Sequence, residues 1–166
     1  MAKKKLNLEE ILVDLDVDLT KVREIFPELY PKFSEMLVEA HPERAYLALK
    51  DAKDREGLSA VGRKLVETNP RTAYWAFRYA EDREGLNAAR ERLVETDPET
   101  AYQAFKDAED REGLSAARER LVETDPRTAY WAFKDAEDRE GLNILIEYIH
   151  RKTGADKTKL EKLLYF

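Results

Sequence analysis

The segment "TDPETAYQAFKDAEDREGLSAARERLVE" starts at Thr96, and its first three letters return at Thr124. This 28-residue recurrence constrains the fold more than any other feature of the chain. Four copies align, at 41–68, 69–96, 97–124 and 125–152, and the second and third differ at only six positions. A period between about 20 and 50 residues marks a stacked array. A single copy is too small to bury its own apolar face, so each has to cover its neighbours.

Each copy reads as two short helices. The first opens at Asp97-Pro98. The Asp carboxylate can accept from a free N–H of the first turn, and Pro at the first helical position forfeits only an N–H that has no partner there. Asn69 and Asp125 stand at the same place and are good caps, whereas His41 is a poor one. Ala101, Phe105 and Ala108 share one face, with Tyr102 and Ala104 flanking it. The second helix opens at Asp110-Arg111-Glu112, with Leu114, Ala117 and Leu121 on its apolar stripe. Gly113, with Gly57, Gly85 and Gly141 in the other copies, has two readings. It lies in the first turn of the second helix, where lacking Cβ allows close packing. Alternatively it is the left-handed end of the first helix, with Ser115 or its Asn counterparts Asn87 and Asn143 as the next cap. The Asp-Arg-Glu opening favours the first. No stretch alternates with strand period, so the expected class is all-α.

The run "DPETAYQAFKDAEDREGLSAARERL" resembles the short HEAT-type repeats, whose helices commonly open with Asp-Pro-Glu and pack small residues against Leu. Asp97-Pro98-Glu99 matches the first opening. Asp110-Arg111-Glu112 matches the second, with Arg in place of Pro. "NPRT" at 69–72 is also similar to the leucine-rich-repeat variant family. The resemblance covers 41–152. It implies a right-handed α-solenoid of stacked two-helix repeats, of the kind that binds proteins or nucleic acids along an extended face.

The ends diverge, as an array with caps requires. Residues 1–40 read as an N-terminal helical cap. Within it 13–40 is a degenerate repeat broken by Pro27 and Pro31, and "LNLEEIL" at 6–12 adds an amphipathic turn or two. In the last copy Ile144, Ile146 and Tyr148 replace Ala88, Arg90 and Arg92 of the second. This larger apolar surface calls for cover, which 153–166 supplies as a capping helix from about Asp156 presenting Leu160, Leu163 and Leu164. Gly154 marks the break before it.

Composition narrows the function. Charged residues make up 39% of the chain and the formal net charge is −6, which opposes a nucleic-acid binder. There is no cysteine, hence no disulfide or thiolate metal site. The two histidines, His41 and His150, are far apart in sequence, so no metal site and no cofactor is expected. The acids of "EDRE" at 81–84, 109–112 and 137–140 alternate with Arg83, Arg111 and Arg139 and suit helix N-termini. Lys3-Lys4-Lys5 reads as a solubilising tail. With no signal peptide and no membrane span, the expectation is a cytoplasmic monomer. Abundant Glu, Lys and Arg with few amides is thermophile-like, and design-like as well. No catalytic constellation is visible, so the chain is read as a non-enzyme.

The positions that vary between copies are the informative ones. Arg71, Trp75 and Asn87 become Glu99, Gln103 and Ser115 in the third copy, then Arg127, Trp131 and Asn143 in the fourth. With about 100° of turn per residue, and Ala73 and Phe77 defining the core side, Trp75 points about 200° away. Arg71 and Arg78 follow at about 160° and 140°. Two readings result. Each Trp packs against a neighbouring copy, or Arg71, Trp75, Arg78, Tyr79, Gln103, Arg127 and Trp131 form a partner-binding surface with Arg stacked on exposed indole. The leading functional expectation is a scaffold binding a protein or peptide. The alternatives are a consensus or engineered array with no evolved ligand, and a binder of single-stranded nucleic acid through the Arg/Trp stripe. Charge opposes the last: the second copy carries five positive and five negative residues, the third four and eight.

Overall fold

The computed structural model describes residues 18–165. Among the described residues the protein is all-α, with eleven helices and no strand. In chain order these are α1 (Leu19–Ile25), α2 (Tyr30–Ala40), α3 (Pro42–Asp51), α4 (Arg55–Leu65), α5 (Pro70–Ala80), α6 (Arg83–Thr96), α7 (Pro98–Asp107), α8 (Arg111–Thr124), α9 (Pro126–Asp135), α10 (Arg139–Thr153) and α11 (Lys157–Tyr165). The chain divides into two compact units, Met1–Arg92 and Leu93–Phe166, and the division falls inside α6. In the first unit α2 packs on α3 and α4, and α3 packs on α4 and α5. In the second α7 packs on α8 and α9, α8 on α9 and α10, and α10 on α11. Within each unit helices pack on their successors, and several also on the next but one, a solenoid-like arrangement.

The helix openings are local chemistry. Asn69, Asp97 and Asp125 accept from the N–H groups of Thr72, Thr100 and Thr128 at 3.1, 3.0 and 3.0 Å, with Pro following each. His41 makes no such bond. The second helices are capped by Asp54, Asp82, Asp110 and Asp138, which accept from Gly57, Gly85, Gly113 and Gly141 at 2.9, 3.0, 3.2 and 3.0 Å. These glycines therefore lie in the first turn, and Ser115, Asn87 and Asn143 are not caps. Asn143 instead accepts from the Tyr165 hydroxyl at 2.7 Å, and Asn87 from Arg90 at 2.9 Å. The left-handed residues stand two earlier than the helix starts, at Lys53, Glu81, Glu109 and Glu137, with φ of 54°, 60°, 54° and 52°. What demands glycine is proximity: a Cβ on Gly113 would lie 2.9 Å from the Phe105 ring, and one on Gly141 2.6 Å from that of Phe133.

The core follows the apolar stripes. Phe77, Phe105 and Phe133 are buried with Ala73, Ala101 and Ala129, and Ala117 and Leu121 complete the stripe of α8. Leu114 is only half-buried. Tyr102 and Ala104, which flank this face, are buried as well, Tyr102 fully. Its ring stands edge-on to Phe133 at 5.2 Å and its hydroxyl donates to Asp138 at 3.0 Å, so the polar end is satisfied inside. Arg118 is buried too. It grips Asp138 with two hydrogen bonds of 2.8 Å and donates to Glu140 at 2.5 Å. Burial raises the Asp138 carboxyl, but Arg118, the Gly141 N–H and the Tyr102 hydroxyl together hold it below the usual aspartate value.

At the ends, a break separates α1 from α2; Pro27 lies in it and Pro31 sits in the first turn of α2. Asp156 caps α11 through the Lys159 N–H at 3.0 Å, and Gly154 ends α10 in the left-handed region, φ 71°. Leu163, expected as cover, is 71% exposed. The lysine run, the 6–12 stretch and Phe166 lie outside the described residues.

Candidate partner-binding site

The seven singled-out residues fall on three helices. Arg71, Trp75, Arg78 and Tyr79 lie on α5, Gln103 on α7, and Arg127 and Trp131 on α9. Arg71, Arg78, Tyr79, Gln103, Arg127 and Trp131 are exposed, while Trp75 is half-buried.

In the first unit the aromatic rings of α5 meet one another and one ring of α3. Trp75 meets Tyr74 edge-on at 5.3 Å and Tyr79, one turn on, at 6.3 Å. Tyr79 reaches Tyr46 of α3 at 6.5 Å, and the Lys50 ammonium sits 4.7 Å above the Tyr79 ring. Hydrogen bonding to Tyr79, with Tyr46 alongside, raises the Lys50 ammonium above its ordinary value. The Asn69 amide donates to Glu43 at 2.9 Å. Leu47, which occupies the Trp position in this copy, is 61% exposed.

The second unit arranges the corresponding residues differently. Gln103 and Trp131 come together in a groove of about 490 Å³ between α7 and α9, lined also by Glu99, Lys106, Thr128 and Asp135. Arg127 does not line it. Trp131 is 53% exposed. One edge meets Tyr130 at 5.0 Å, and Lys134 lies 5.9 Å from the indole while donating to the Tyr130 hydroxyl at 2.8 Å.

The two tryptophans occupy the same place in two copies, yet only Trp131 is open. The reason is one turn away: Tyr79 lies beside Trp75, and the short Asp135 stands at that place after Trp131. The expected outward aim of Trp75 therefore yields a half-buried ring. The cation over the fourth-copy indole is Lys134 and not Arg127. The sequence reading missed Lys50, Lys134, Glu99 and Asp135. The signal that distinguishes the two indoles is the exchange of Tyr79 for Asp135 one turn on.

Among the described residues no cluster of three or more His, Asp or Glu side chains is placed to hold a metal, and no helix is long and apolar enough to cross a membrane. No protein-family model matches the chain, and neither a curated protein nor a solved structure matches it. The class of protein therefore rests on its own architecture: an all-α chain whose helices pack sequentially, consistent with a helical repeat protein.

Proposed function

We propose that this protein is a non-enzymatic scaffold of short HEAT-like repeats, each of 28 residues and two helices, that binds a protein or peptide through the first helices of its repeats. Trp131 carries the reading. It is a large aromatic left 53% exposed on a helix whose Phe133 is buried and whose Tyr130 is half-buried. Exposed Trp is among the residue types that dominate interface energetics. It also stands at the position that varies between copies as Leu47, Trp75, Gln103 and Trp131 while the surrounding sequence stays nearly constant. An exposed aromatic at a position that changes from copy to copy is the pattern of a recognition surface.

The near-identity of the copies favours a second reading, an array built by consensus or recent duplication with no evolved ligand. One experiment separates the two. A partner is isolated with the full chain as bait, then its Kd is measured for the parent and for Trp131→Ala. The binding reading expects at least about tenfold weaker binding by the variant. The thermal melt should stay within about 0.5 kcal/mol of the parent. Equal affinity of parent and variant would remove Trp131 from the site, and an absence of any saturable partner would favour the array without a ligand.

A further inference from the structure

The groove between α7 and α9 has a chemical preference that follows from two exchanges between the copies. In the first unit Asn69 donates to Glu43. In the second unit Asp125 stands at the Asn69 position and Glu99 at that of Glu43. An ionised carboxylate has no proton to donate, and the Asp125 carboxyl is held below its ordinary value chiefly by the Thr128 N–H and hydroxyl. That side chain is already engaged in capping α9, so Glu99 keeps an open carboxylate. The second exchange puts Asp135 where Tyr79 stands. It removes the ring that lies under Lys50 in the first unit and leaves a second carboxylate on the groove wall. The lining thus carries two acids, Glu99 and Asp135, against one base, Lys106. The copy that contributes α7 has four positive and eight negative residues. The same lining carries the Trp131 indole and the Gln103 amide. The indole already attracts a cation, since Lys134 lies 5.9 Å from it.

We propose that this groove binds a basic linear segment of a partner protein. An arginine or lysine of the segment stacks on Trp131 and pairs with Glu99 and Asp135, while the Gln103 amide bonds to the segment's backbone. The attraction of a cation to an aromatic face and the charge-assisted bonds to carboxylate act on the same group. The amide offers both a donor and an acceptor, which an extended peptide backbone can satisfy. This inference rests on the binding reading above and adds the chemistry of the partner.

The test uses the full chain and a displayed library of random peptides, with each selected peptide then synthesised and titrated against parent, Trp131→Ala and the double variant Glu99→Gln/Asp135→Asn. The expected result is enrichment of Arg- and Lys-containing peptides. Their affinity should fall at least about tenfold with Trp131→Ala and severalfold with the double variant, and it should weaken as salt rises. Circular dichroism of each variant shows that the helices remain. Trp131-dependent peptides that are acidic or apolar would overturn the basic-segment proposal and leave the binding reading standing. Basic peptides that bind all three proteins equally would place their site elsewhere and overturn it as well. Selection of no Trp131-dependent peptide would overturn both.

Discussion

The ring of Phe77 fits because two glycines face it, Gly62 on α4 and Gly85 on α6. A Cβ built on Gly62 would lie 2.6 Å from the ring, and one on Gly85 would overlap it. The cost of a methyl at Gly85 therefore depends on the ring and not on the helix, which by propensity alone would gain up to about 1 kcal/mol from alanine. In the parent, Gly85→Ala should destabilise by about 1–3 kcal/mol through overpacking. Phe77→Ala should cost about 3–5 kcal/mol by lost burial and a cavity. In the Phe77→Ala background the same Gly85→Ala change should reverse sign and stabilise, because the clash is gone and the methyl fills part of the void. Urea titrations of the four proteins in this cycle check it. A Gly85→Ala effect of equal sign and size in both backgrounds would disprove the close-packing role of the glycine.

Between elements, the ion pair of Arg118 and Asp138 joins α8 to the start of α10, and Tyr102 of α7 closes it from a third helix. Asp138 is also the N-cap of α10, so one carboxylate serves a helix end and an inter-helix contact. Its folded-state value lies below the usual one, so the folded protein binds this proton less readily than the unfolded chain. By linkage the contribution is fully present above the ordinary aspartate value of about 4 and is lost as pH falls through the lower folded-state value. Melts from pH 7 downward should be flat with respect to this group to about pH 5 and decline below about pH 4. Asp138→Asn should start less stable at pH 7 and lose less on acidification than the parent. Parallel acid profiles for the two proteins would show that this carboxylate does not couple folding to protons.

On the scale of the whole chain, the last helix is thin cover. α11 packs on α10 yet contains no fully buried residue, and Leu163 points to solvent. Its anchors are polar: Lys157 pairs with Glu147 at 2.5 Å and the Tyr165 hydroxyl bonds to Asn143. On α10 itself Ile144, Tyr148 and Ile149 are half-buried. Deleting 156–166 should leave the other helices folded and lower the melting temperature by a few degrees, on the order of 2–8 °C. The truncated chain should self-associate through the uncovered isoleucines. Sedimentation and melting read both effects. A truncated chain that stays monomeric and melts with the parent would mean that α11 covers nothing of consequence.

The sequence by itself determined what is set within one helical turn. Asp97-Pro98 and Asp110-Arg111 start helices because each Asp reaches an N–H three residues on, at 3.0 and 3.2 Å. The Ala101–Phe105 stripe marks the core because residues four apart share a face. The fold class was legible for the same reason, as a succession of such local decisions. The tertiary structure alone decided the rest. Tyr102 and Arg118 are buried because Asp138, 36 and 20 residues away, meets their polar ends. No window of one turn contains that pairing. The groove beside Trp131 likewise exists because α7 and α9 pack together, which brings Glu99 and Gln103 to the same wall as Asp135. Trp75, with the same local sequence before it, is half-buried instead, since Tyr79 spans to Tyr46 on a helix one copy earlier. Burial and exposure are sums over neighbours in space, and those neighbours come from parts of the chain that a local pattern does not bring together.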